Sequence, residues 1–137
     1  MKKIILIALP ILITSGCVTF KQMDEGLSSL VGKNKDVAFN VLGYPSKEQS
    51  FDKTKVYTWN RATSETILLS SPQTTYGTVG ATTFNSTTTQ LSAVPVQYAC
   101  TIQLATDEAG TIKQYQYDGN MGGCEPYIHR LNAYFKR

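Results

Sequence analysis

The chain is 137 residues long, 42% hydrophobic and 17% charged, with 13 Lys and Arg against 10 Asp and Glu for a formal charge of +3. That length bounds it to one domain with a modest core. So small a net charge excludes the electrostatic footprint of a nucleic-acid binder and leaves no polybasic patch for a membrane surface.

At the N-terminus, Met1-Lys2-Lys3 is a short positive start and Ile4 to Ile13 an almost unbroken apolar run. Thr14-Ser15-Gly16 then puts small residues before Cys17. This is the order of a secretory signal. A membrane-spanning helix needs roughly twenty apolar residues, and Pro10 opposes a stable one here. Thr14-Ser15-Gly16-Cys17 resembles a lipobox, at which bacterial lipoproteins are diacylated on the cysteine sulfur and cut just before it. The resemblance implies that residues 1–16 are a signal peptide, that Cys17 carries the lipid (palmitate or a similar chain), and that the membrane is a partner through this anchor. Val18 follows, where an Asp usually retains Gram-negative lipoproteins in the inner membrane, so the resemblance implies the periplasmic face of the outer membrane. An ordinary cleavable signal with a chance cysteine is the alternative. One acyl chain holds only marginally, at about 0.8 kcal/mol per buried methylene, whereas two or three anchor stably.

With residues 1–16 removed, about 120 residues remain, enough for a single domain over 17–137. Cys100 and Cys124 are then an even pair in an exported domain, which is expected to form a disulfide. Two free thiols are the other possibility. A metal site is not expected, because two cysteines and the distant His129 do not supply four ligands at useful spacing.

Residues 18–33 are predicted to contain a first helix, with Met23, Leu27, Leu30 and Val31 on one face and Gly32 able to end it. A second helix follows, with Asn34 as N-cap, Val37, Ala38, Val41 and Leu42 as its apolar stripe, and Gly43 as its stop. Such a helical pair needs a sheet to bury its stripes. Lys55 to Arg61 reads as a strand with Tyr57 and Trp59 on one face, and Thr66 to Leu69 as its extension or successor.

No charged residue occurs from Thr66 to Thr106, and a Thr-rich insertion occupies 70–95. Thr favours strands but gives little to bury. The tract is expected to be an exposed hairpin or flexible insertion, or else a partner-binding loop. Val96 to Ala105 alternates cleanly, Asp107 to Gly110 is a turn, and Thr111 to Tyr117 returns as the partner strand. Ile112 and Tyr115 share a face there only if a bulge intervenes. Gly119, Gly122 and Gly123 suggest a loop, and a last helix is predicted from near Pro126.

Val41-Leu42-Gly43-Tyr44-Pro45 followed by Val56-Tyr57-Thr58-Trp59 resembles the repeat of the SmpA/OmlA (BamE-like) envelope lipoproteins. In that family a helix ends in Leu-Gly-x-Pro and a polar stretch leads to a strand with an aromatic pair. The resemblance implies two helices on a three-stranded antiparallel sheet, a fold similar also to the beta-lactamase-inhibitor protein repeat. It implies a role in outer-membrane protein assembly or in binding other envelope proteins. Together these readings predict an α+β fold: two N-terminal helices packed on a small antiparallel sheet of about three strands, the Thr-rich insertion, and a C-terminal helix stapled by the disulfide.

Enzyme chemistry is not expected, and no catalytic residue is nominated. His129 reads as a surface or helix-end residue, and Asp107 and Glu108 are merely adjacent in a turn. There is no nucleophile elbow, and Gly119-Asn120-Met121-Gly122-Gly123 lacks the lysine of a phosphate loop. Tyr98, Tyr115 and Tyr117 could form an aromatic binding surface or simply cover a small core. The expected function is a non-enzymatic, membrane-anchored envelope lipoprotein that binds another envelope protein or the cell wall, without a small-molecule cofactor. The alternative is a periplasmic inhibitor or exclusion factor acting on an envelope enzyme.

Overall fold

A computed structural model describes residues 17–135, so the signal peptide expected at 1–16 lies outside the described residues. Helix α1 (Phe20–Ser28) opens with a capping box: the Thr19 hydroxyl accepts from the Gln22 amide, and the Gln22 side chain accepts from the Thr19 amide. Met23 and Leu27 are buried as expected, but the helix is shorter than 18–33. After Ser28 the chain tightens into i→i+3 bonds, from the Leu30 amide to Leu27 and from the Val31 amide to Ser28. This change of pitch keeps Leu30 in the core and turns Val31, expected on the same face, out to solvent.

Helix α2 (Lys35–Leu42) is capped by Asn34, whose side chain accepts from the Asp36 amide, and it stops at Gly43 with φ of 90°. Four strands follow in one antiparallel sheet of order β1-β2-β3-β4: β1 (Lys47–Phe51), β2 (Thr54–Val79), β3 (Thr82–Thr106) and β4 (Ile112–Gly119). The sheet therefore has four strands rather than about three. The additional one, β1, is a short edge strand with an almost wholly exposed side-chain pattern, so it carries no hydrophobic period. It is held by the β2 ladder and by the Lys55–Glu48 ion pair at 3.1 Å.

Between β3 and β4 the register steps from Ala105↔Gln114 to Thr106↔Ile112. Lys113 is the extra residue, and this bulge brings Ile112 and Tyr115 to one face. Helix α3 (Met121–Phe135) begins five residues before the expected start near Pro126. Asn120 supplies the cap that was not foreseen, its side-chain oxygen accepting from the Gly123 amide at 3.0 Å. Gly122 and Gly123 belong to the helix because α3 meets β3 closely there: a Cβ on Gly123 would lie 2.3 Å from the Ala99 backbone.

All three helices pack on one face of the sheet. The core joins Met23, Leu27, Leu42, Trp59, Ile102 and Leu131, among others, and the opposite face carries exposed Gln114 and Gln116 beside half-buried Gln103. The result is a two-layer α+β body with the Cys100–Cys124 disulfide (S–S 2.05 Å) joining β3 to the C-terminal helix.

Candidate functional site

β1 pairs with β2 only as far as Thr58, and β4 pairs with β3 only as far as Cys100. Beyond those points β2 and β3 continue as a two-stranded ribbon, paired in unbroken register from Ala62↔Ala99 to Val79↔Thr82. The ribbon holds 18 residue pairs, and the steps between them span roughly 56 Å at about 3.3 Å per residue. Its strands follow from the high β-propensity of the Thr-rich tract. Its register follows from the two-residue turn at Gly80-Ala81, where Gly80 has φ of 63° at the first central position.

The short turn makes Val79 and Thr82 a hydrogen-bonded pair. Even-numbered residues of β2 and odd-numbered residues of β3 therefore aim their N–H and C=O groups outward. The root of the ribbon obeys this phase. The Asn60 amide donates outward to the Ser46 hydroxyl at 3.2 Å, and Ala99 and Gln97 bond outward to Asn120. Pro72 and Pro95 both occupy outward positions, where their lack of N–H costs the ribbon's own ladder nothing.

Side chains stitch the two strands together. The Thr74 and Thr87 hydroxyls are 3.2 Å apart, and Gln97 donates to the Ser64 hydroxyl at 3.0 Å. Near the tip the Phe84 ring covers Gly77, where a Cβ would come within 2.6 Å of it. More than half of the large apolar side chains left exposed belong to the ribbon. Ile67, Leu68, Leu69 and Leu91 form its root-side half, and Tyr76, Val79 and Phe84 its tip. With Thr66 to Thr106 free of charge, the ribbon beyond Glu65 presents a long uncharged surface with two apolar zones and a Ser/Thr/Gln zone between them.

Asn120 holds the root. Its side-chain oxygen accepts from the Ala99 and Gly123 amides, and its side-chain nitrogen donates to the Gln97 carbonyl at 2.7 Å. One amide thus ends the β4 side of the β3 edge and starts α3. Beside the root lies a cleft of about 330 Å³ lined by Asn60, Arg61, Thr63, Pro126, Tyr127 and Arg130. Burial pushes the Tyr127 hydroxyl above its ordinary pKa, and the Arg130 and Arg61 charges oppose that rise.

Of the residues singled out from sequence, Cys17 is exposed with a free thiol, three residues before α1, and stands apart from the Cys100–Cys124 bridge. Phe20 stacks on Tyr117 and Asp24 accepts from the Tyr115 hydroxyl at 2.7 Å, while Gly32 and Lys33 bond to Ile112. α1 therefore runs antiparallel to β4, and its N-terminal end lies at the end of the body from which the ribbon leaves. Tyr115 and Tyr117 pack against the core, and Tyr98 lies against Gly122 at the root, so all three cover the body. His129 is exposed and pairs with Glu125 at 3.3 Å. Arg61, Arg130 and Asn120 were not anticipated. An Asn one residue before a helix was the one available signal for Asn120.

Among the described residues no helix is long and apolar enough to cross a membrane, and no three His, Cys, Asp or Glu gather as metal ligands. Comparison with known proteins finds no family model, no curated protein and no solved structure that matches this chain.

Proposed function

We propose that this chain is a non-enzymatic lipoprotein of the bacterial envelope. In this reading it is anchored through Cys17 to the periplasmic face of the outer membrane and offers its ribbon to another envelope protein or to the cell wall. The observation that carries the reading is the ribbon itself. A projection uncharged beyond Glu65 and bearing most of the exposed large apolar side chains buries little for its own body, and large exposed apolar surface marks an interaction site. Cys17 is exposed, two residues before the Thr19 cap of the first helix, which is compatible with a lipid on its sulfur. The sequence resemblance of Val41 to Pro45 and Val56 to Trp59 to the BamE-like lipoproteins points the same way.

A second reading, an inhibitor or exclusion factor for an envelope enzyme, draws support from the narrow tip, where Tyr76 and Val79 are 79% and 73% exposed and could enter a cleft. Affinity capture from envelope extracts tests both, using the full chain beside its Leu68→Asp/Leu91→Asp variant. Ribbon-dependent recovery of assembly proteins or cell-wall fragments supports the first reading, and recovery of a hydrolase supports the second. Equal recovery with both chains removes the ribbon from the function.

A further inference from the structure

We infer that the outer edge of β3 in the ribbon, from Thr83 to Val94, is a pairing edge for a second copy of this chain. Both ribbon edges are open, but they are not equivalent. Pro72 interrupts the β2 edge within its length, whereas on β3 the only proline of the ribbon, Pro95, stands at the root end. The β3 edge is thus open for about twelve residues, roughly 40 Å. It also lacks the usual protection, having no charge, no covering element and no bulge.

The identity of the occupant follows from the same features. Two identical edges related by a twofold axis pair antiparallel without needing a complementary sequence. A segment with no charged residue meets no like-charge repulsion from its own copy. A two-stranded ribbon is only marginally stable by itself, and pairing would make it the outer half of a four-stranded sheet, β2-β3-β3-β2. An edge of that length and about 10 Å of sheet thickness covers roughly 400 Å² per copy, about 800 Å² in total, below the roughly 1,200 Å² of stable specific interfaces and in the range of weak, transient ones. The dimer is accordingly weak in free solution and is favoured where a surface concentrates the chains, a clause that rests on the lipid-anchor reading. Both faces of the ribbon stay free for a further partner.

Single cysteines introduced into the full chain test this. Asn85, Thr89 and Ala93 report the β3 edge, and Ser64, Thr74 and Thr78 the β2 edge. The chain without an added cysteine gives the Cys17 background. Treatment of isolated membranes with a bis-maleimide is expected to give a doubled-mass product from the β3 set, strongest at one position near the axis, and background from the β2 set. Thr89→Pro, which removes an outward N–H while sparing the ribbon's own ladder, should lower that product at least tenfold, and Ser70→Pro on the other edge should leave it unchanged. No doubled product, equal products from both edges, crosslinks to a different protein alone, or indifference to Thr89→Pro would each overturn the inference. Fractionation of the same sample reads the anchor separately: a chain absent from membranes defeats the anchor, while the edge pattern in whichever fraction holds the chain decides the pairing.

Discussion

The indole Nε1 of Trp59 donates a hydrogen bond to the carbonyl of Gly43 at 2.8 Å. One residue earlier, Arg130 Nη1 donates to the Leu42 carbonyl at 2.7 Å. The last turn of α2 would otherwise leave these carbonyls without partners. A strand and the C-terminal helix supply the donors, so three elements are locked at one point. Trp59→Phe is expected to keep much of the ring packing but strand the Gly43 carbonyl. That should cost about 1 to 3 kcal/mol, read as a lower midpoint in urea unfolding followed by circular dichroism.

Breaking the Cys100–Cys124 bridge should cost more. Cys124→Ala is expected to destabilise the body by about 2 to 5 kcal/mol, the usual range for a small secreted domain. In protein taken from its native compartment, a thiol reagent should reach these two sulfurs only after reduction. Ready labelling beforehand would show that the bridge does not form there.

Asp107 links stability to pH. The Thr111 amide donates to its carboxylate at 2.9 Å and Lys113 pairs with it at 3.1 Å, and these partners hold its pKa below the ordinary 3.8. A depressed carboxylate pKa contributes stability that is fully present above 3.8 and lost as the pH falls through the lower folded value. Asp107→Asn should therefore flatten the acid limb of a stability–pH profile below that point and leave its slope near neutrality unchanged. An acid limb equally steep in the variant would remove this turn from the account.

The ribbon should be dispensable for folding. Replacing residues 64–97 by a two-residue turn removes side chains that are almost all exposed, and loop-closure terms change slowly with length. The shortened chain is expected to unfold cooperatively, with a denaturant midpoint close to that of the parent. Loss of cooperative unfolding would mean that the ribbon supports the body.

Cys17→Ser tests the anchor. If the proposed lipid on Cys17 is the tether, the variant should move from the membrane to the soluble periplasmic fraction, because the acyl chains supply the membrane affinity in that reading. Continued sedimentation with membranes would assign the tether to something else.

Much of this architecture was legible where a residue pattern carried a period. Asn34 and Gly43 bracket α2, and Cys100, Ile102 and Leu104 alternate as a half-buried strand must. The bridge was legible from the even pair of cysteines left beside Cys17, read with the expectation of export. β1 was not, because Lys47 to Phe51 bury almost nothing and an edge strand has no face to mark. The start of α3 was hidden by Gly122 and Gly123, residues that suggest a loop but serve here to admit the β3 backbone and the Tyr98 ring. For the ribbon, composition conveyed exposure and strand preference. The pairing of Leu68 with Ala93 and the outward aim of Pro72 depend on the register imposed by Gly80-Ala81, a geometric fact that single positions do not express.

The position of the disulfide also gives the ribbon a mechanical character. Cys100 is the last residue of β3 with a β4 partner before the ribbon leaves the body, so it sits at the fulcrum of a lever roughly 56 Å long. A sideways pull at Tyr76 or Phe84 would otherwise peel β3 from β4 one hydrogen bond at a time. With Cys100 bound to Cys124, that load passes covalently into α3, which is packed against α1 and tied to α2 through Arg130. Bending is then confined to the ribbon, and the body responds to torque as a single block.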